Sequence, residues 1–180
     1  TTGEDVGHIG SKAFDIADVT SRRCYVFDAG GPVGSVVMRA PGQRRFTLTF
    51  RGQAAHAGVE PELGISAISI AARAIDRMPL GRIDDITTAN VGTIEGGQAY
   101  NIVAPEATVT VESRSLSEKR LEKQVTDVTN AATQAAEDYG GEVDIETHTF
   151  YQAYQLDESD PAVQLADTAI EAAGLELKHI

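Results

Sequence analysis

The chain has 180 residues, 42% of them apolar, which suits one domain or two small ones with a real core. Its formal net charge of −12 argues against nucleic acid and anionic membrane as partners, because both repel it. No apolar run approaches the roughly 20 residues that span a bilayer, and Cys24, the single cysteine, excludes an internal disulfide.

Glu4 and Asp5 are adjacent carboxylates ahead of a segment, 9–19, in which Ile9, Ala13 and Ile16 share one face of a short helix. "CYVFDAG" (24–30) reads as an apolar strand ending at Asp28 before a glycine-rich turn, and "GSVVMRAPG" (34–42) as a second strand closed by Pro41-Gly42. "RRFTLTFRG" (44–52) alternates Phe46, Leu48 and Phe50 with Thr47 and Thr49, the pattern of a half-buried strand. In "GISAISIAARAIDRM" (64–78), Ile65, Ile68, Ala72 and Ile75 fall at helical spacing and predict the buried face of a helix. "ITTANVGTI" (86–94) and "ATVTVESR" (107–114) predict two further strands. Ser115 and Glu118 then form a capping box for a long helix. Its stripe is Leu121, Val125, Val128, Ala132, Ala135 and Ala136, and Gly140-Gly141 stops it. "EVDIETHTF" (142–150) is a last alternating strand. After it, Asp160 caps a helix with Pro161 at its first position and Gly174 as its stop, and "LELKHI" begins another strand.

From 43 to 150 the order is β-α-β-β-α-β, which predicts a ferredoxin-like domain with an antiparallel sheet and both helices on one face. Residues 1–42 and 151–180 have the strand–helix alternation of an α/β domain but are too short to close one. The expected organisation is a complete small domain, 43–150, flanked by two incomplete pieces.

Taken singly, the polar candidates are weak. Glu4-Asp5 suits a helix start as well as a metal ligand beside a general base. Asp28 suits a turn, and His56 in "GQAAHAG" an exposed loop. Asn101 suits a turn before a strand, and Arg114 in "ESRS" a surface ion pair.

Together they form a pattern. "FDAGGPVG", "AAHAGVEPELGISAI", "LGRIDDITTANVGTIEGG" and "NIVAPEATVTVESRS", behind Glu-Asp-Val-Gly, closely resemble the co-catalytic zinc exopeptidases of the peptidase T type. That group includes carboxypeptidase G and succinyl-diaminopimelate desuccinylase. The resemblance implies an α/β zinc-exopeptidase catalytic domain interrupted by a lid and dimerisation domain, with two zinc ions per active site. It implies Glu4 as general base, Asp5 (where the family usually has Glu) as ligand of one zinc, and Asp28 as ligand of the other. It implies that His56 reaches across a homodimer to stabilise the tetrahedral oxyanion, and that Asn101 and Arg114 hold substrate. Two zinc ions about 3.5–4 Å apart suit hydrolysis of a peptide bond by a metal-activated water.

The family's upstream His-x-Asp, upstream bridging Asp and downstream His have no counterpart in residues 1–180, and His8, His148 and His179 fall outside its ligand motifs. The expectation is therefore an internal fragment of a cytoplasmic zinc aminopeptidase acting on short peptides, tripeptidase-like, and inactive alone. A deacylase of amino acids within the same family stays open. So does a non-enzymatic dimerisation or ligand-binding module. RNA binding on the sheet is disfavoured by charge and by the lack of paired strand aromatics.

Overall fold

The computed structural model describes residue 10 and residues 13–180. Glu4, Asp5 and His8 lie outside them. The chain forms two compact units. One is Met38–Leu156, and the other combines the described residues up to Val37 with Asp157–Ile180.

In chain order the elements are β1 (Ser35–Val36), β2 (Arg39–Ala40), β3 (Gly42–Arg51), α1 (Ala67–Arg77), β4 (Gly81–Asp84), β5 (Thr87–Gly96), β6 (Glu106–Ser115), α2 (Glu118–Tyr139), β7 (Glu142–Tyr151), β8 (Tyr154–Gln155), α3 (Pro161–Ala172) and β9 (Lys178–His179).

The larger unit is built on a five-stranded sheet in the order β4-β5-β6-β3-β7, antiparallel throughout. Without β4 this is the expected ferredoxin-like arrangement. The short edge strand β4 was not foreseen, because its four residues, GRID, are too few and too charged to show a period.

Alternation explains the core. Phe46 pairs with Val111, Leu48 with Val109 and Phe50 with Ala107, and all six side chains are buried against the helices. A buried Phe or Leu contributes about 1.5–3 kcal/mol relative to its exposed state. Helix α2 packs with Leu121, Val128, Ala132, Ala135 and Ala136 inward, as the stripe predicts, and it also buries Gln124.

Helix α1 corrects the sequence reading. It buries Ala67, Ile70, Ala71 and Ala74, whereas Ile68 is 42% exposed and Ala72 is exposed. Hydrophobicity alone ranks isoleucine above alanine. Close approach of a helix to a sheet and to a second helix favours the small residue.

The start of α2 is a second correction. Its N-cap is Ser117, and no side chain closes a capping box there. Ser115 Oγ instead accepts the Ser117 N–H at 3.1 Å and shares a hydrogen bond of 2.9 Å with Thr87 Oγ1. Glu118 turns to Arg44, which is 6% exposed on β3 and also donates to Glu122 at 3.1 Å. A buried guanidinium claims the carboxylate more strongly than a helix-start amide does. At the far end Gly140, with φ 70°, makes the left-handed stop.

In the smaller unit Asp160 Oδ1 accepts the Ala162 N–H at 2.7 Å and Pro161 opens α3, as expected. "LELKHI" does form a strand, β9, parallel to β1. The strand expected at 24–30 is absent: this segment is irregular, with Val26 79% and Phe27 98% exposed. Among the described residues no strand lies beside it to pair its backbone. Of the helix expected at 9–19, the described part holds a 3-10 turn, Ile16–Asp18, capped by Asp15.

Two predictions follow from these contacts. We propose that residues 43–150 fold by themselves, and that a 38–156 segment melts at higher temperature because it adds the β2–β8 ladder. Thermal unfolding followed by circular dichroism checks this, and a non-cooperative melt of 43–150 contradicts it. The second concerns His179, whose imidazole Nε2 lies 3.0 Å from Asp167 Oδ1 with Glu158 behind it. The hydrogen bond to Asp167, then its charge, holds the imidazole above its usual value. A raised folded value means stabilisation that is complete below the unfolded value, about 6.5, and lost as pH rises through the folded one. His179→Ala should therefore lower the melting temperature most near pH 6 and progressively less in alkaline buffer. A pH-independent difference contradicts it.

Candidate functional site

The chain leaves β3 at Arg51 and reaches α1 through a loop, 52–66, rich in glycine and alanine. Gln53 and Ile65 close the neck of this loop with two backbone hydrogen bonds of 2.9 Å. His56 lies within it and forms a bridge to Ile102. On either side of that bridge Ala57 N–H donates to Asn101 O and Val103 N–H to Ala55 O, each at 3.0 Å. The segments carrying His56 and Asn101 are thereby joined, and both residues are exposed. Their common platform is the end of the sheet where Arg51 faces Glu106.

The imidazole of His56 is itself held. Its Nδ1 accepts the Gly58 N–H at 3.1 Å. With Nδ1 an acceptor, the hydrogen of the neutral ring sits on Nε2.

Arg114 lies elsewhere. It stands on β6 opposite Gln43 and Thr88, at the other end of the sheet. Eight residue steps along β6 take the strand from Glu106 to Arg114, a rise of about 25–27 Å. Its guanidinium is paired with Glu112, Nε to Oε1 and Nη2 to Oε2, both at 3.2 Å. The hydrogen bond to Glu112, with its charge, pushes Arg114 further above its already high ordinary value, so it stays cationic. Gln43 Nε2 donates to the same carboxylate. The structure thus brings His56 and Asn101 together and keeps Arg114 apart from them within one chain.

Asp28 is exposed in the smaller unit, on the irregular segment before the Gly30-Gly31 turn. Among the described residues no three His, Cys, Asp or Glu side chains gather as a metal requires. Those residues do not by themselves make a zinc centre, and Asp5 and Glu4 fall outside them. No described helix is long and apolar enough to cross a membrane.

Three contributors escaped the sequence reading: Gly58, Gly64 and Glu112. The first two were visible as glycines flanking His56 in "AAHAGVEPELG". Gly58 meets the His56 ring two residues back, whereas Gly64 meets Val103, which is distant in sequence. Glu112 had a local signal, since residues two apart on a strand share a face.

Residues 40–140 match the peptidase dimerisation domain of the M20 family. The chain is 43% identical over 174 residues to the uncharacterised protein YqjE of Bacillus subtilis, covering 97% of this chain and 47% of that one. It superposes on the crystal structure of aminopeptidase PepT from Bacillus cereus with a TM-score of 0.86 and 41% identity, covering 98% of this chain and 48% of the other. On a tripeptidase from Staphylococcus aureus the TM-score is 0.90 with 36% identity, covering 99% and 48%. The chain spans about half the length of these relatives. On this evidence it belongs to the M20 peptidase family, and residues 40–140 are its dimerisation domain.

Proposed function

We propose that this chain is the lid-bearing part of a zinc aminopeptidase that hydrolyses short peptides, tripeptides among them. The observation that carries the reading is the fastening of His56 to Asn101 at one end of a dimerisation domain, remote from Arg114. One chain cannot bring the two ends of a ten-residue ladder to one small substrate. Two chains can, with the His56–Asn101 end supplied by one copy and the Arg114 end by the other. Support for the reaction class comes from the aminopeptidase and tripeptidase likeness over nearly the whole chain.

In this reading the second copy adds to the outer edge of β5. Strand β4 covers that edge only at Thr87–Ala89, leaving residues 90–96 open. Ile94 is 49% exposed there, and exposed Ile68 and Ala72 of α1 supply apolar surface. The opposite edge, β7, carries exposed Glu142, Asp144 and Glu146, charges that discourage strand addition.

Chemically, zinc would supply an activated water and polarise the carbonyl. Glu4 would take the water's proton and pass it to the leaving amine. His56 Nε2–H would donate to the oxygen that gains negative charge. Arg114 would hold a substrate carboxylate with its planar fork, sharing it with Glu112. Asp5 and Asp28 would each bind one zinc.

In the full-length parent, His56→Ala should lower kcat by about 10²-fold with zinc content unchanged, since an oxyanion donor is lost and no ligand is. Arg114→Ala should mainly raise KM, because it acts in ground and transition state alike. Loss of zinc from His56→Ala, or kcat unaltered, contradicts the assignment. The 180-residue chain alone should bind zinc weakly and leave Leu-Gly-Gly intact, because ligand number and preformed geometry set affinity. Calorimetry and a peptidase assay check this, and sub-micromolar binding with turnover contradicts it.

A further inference from the structure

We propose that the lid presets the tautomer of the neutral His56 ring, with its hydrogen on Nε2, before substrate or a second copy arrives, and that Gly64 is the residue that positions it. The inference rests on the reading of His56 as an oxyanion donor and extends it to how the donor is prepared.

Two backbone segments meet at His56, and a third, at Ile65, closes the neck of the loop that carries it. The 53–57 segment is bonded to 101–103 on both sides of the His56–Ile102 bridge, and its Gln53 is bonded to Ile65 at the loop neck. The His56 carbonyl also accepts the N–H of Val59 at 3.2 Å and of Glu60 at 3.1 Å. The main chain is thus bonded on both sides of His56, and the His56 carbonyl itself accepts twice.

The third segment is locked by packing. A Cβ placed on Gly64 would lie 2.8–2.9 Å from three side-chain atoms of Val103. Gly64 itself has φ −94° and ψ 150°, extended backbone that any residue adopts. The demand for glycine there is therefore steric, and the three nearest atoms a methyl would meet all belong to Val103. A methyl at 64 must push Val103 away, and Val103 N–H is one of the two bonds that flank His56.

The ring is fixed by Gly58. Its N–H points at Nδ1 and leaves Nε2 as the donor. An oxygen gaining negative charge needs that donor, and the other tautomer would offer it a lone pair. A donor fixed beforehand needs no reorganisation when the charge forms. Here the requirement is for the backbone N–H and not for a bare glycine. A Cβ on Gly58 would meet the imidazole at 3.6–3.8 Å, ordinary contact, and the position has no left-handed φ.

The test is nitrogen-15 NMR of the 180-residue chain in mildly alkaline buffer, reading the imidazole tautomer and the scalar coupling across the Gly58 N–H to His56 Nδ1 hydrogen bond. His56 is expected as the Nε2–H tautomer alone, with that coupling present. Gly58→Ala should leave both unchanged. Gly64→Ala should abolish the coupling and give the tautomer mixture of a histidine in an unstructured peptide. Gly64→Ala with Val103→Gly should restore the wild-type signature, because an alanine at 103 would keep the Cβ that lies 2.9 Å from the added methyl. A peptide-like mixture or an Nδ1–H tautomer in the wild type overturns the presetting. An unperturbed His56 in Gly64→Ala overturns the role of Gly64. Should Gly64→Ala not fold, wild type and Gly58→Ala still decide the presetting, and recovery of fold and signature by the double variant decides Gly64. A preset ring combined with unaltered kcat in the His56→Ala parent upholds this inference and defeats the oxyanion role.

Discussion

Ten consecutive residue pairs between β3 and β6, from Gly42 opposite Ser115 to Arg51 opposite Glu106, run in unbroken register. Because side chains alternate, this one ladder sends Phe46, Leu48, Phe50, Val109 and Val111 to the helices and Arg45, Thr47, Thr49, Thr110 and Glu112 to the open face. A slip by one residue would exchange the two faces and expose the core. The ladder also fixes where chemistry can happen. Its length separates the loop carrying His56 from the strand end carrying Arg114, and that separation is what calls for two chains in the proposed site.

The architecture was legible where the period was long. β3, β6 and α2 each show a strong repeat over eight or more residues, and the helix stop at Gly140 has a local cause in its left-handed φ. Legibility failed where a distant partner decides the outcome. Glu118 looks like a helix cap until buried Arg44 is placed beside it. Ile68 looks like part of the core face of α1 until the packing turns Ile70 and three alanines to the sheet and the second helix instead. Val26 and Phe27 look like a strand, but a strand needs a neighbour for its backbone, and the described residues supply none.

The candidate site divides along the same line. His56, Asn101 and Arg114 carried recognisable residue types in recognisable surroundings, so a resemblance singled them out as candidates. Their grouping did not follow from the sequence, since Asn101 lies 45 positions after His56 and Arg114 only 13 after Asn101. Nearness in sequence suggests the second pair, and the fold joins the first. The glycines that hold His56 acquire meaning only from what lies against them, an amide aimed at Nδ1 and a valine where a methyl would sit.

The central claim is that the lid of one chain serves the catalytic centre of another. It is tested most directly by mixing two inactive full-length parents, one with Glu4→Ala and the other with His56→Ala. A mixed dimer would rebuild one site from an intact Glu4 on one chain and an intact His56 on its partner. Random exchange makes half the dimers mixed with one good site in each, so activity should recover to roughly a quarter of the wild type. No recovery, with subunit exchange demonstrated independently, would show that His56 acts within its own chain or not at all.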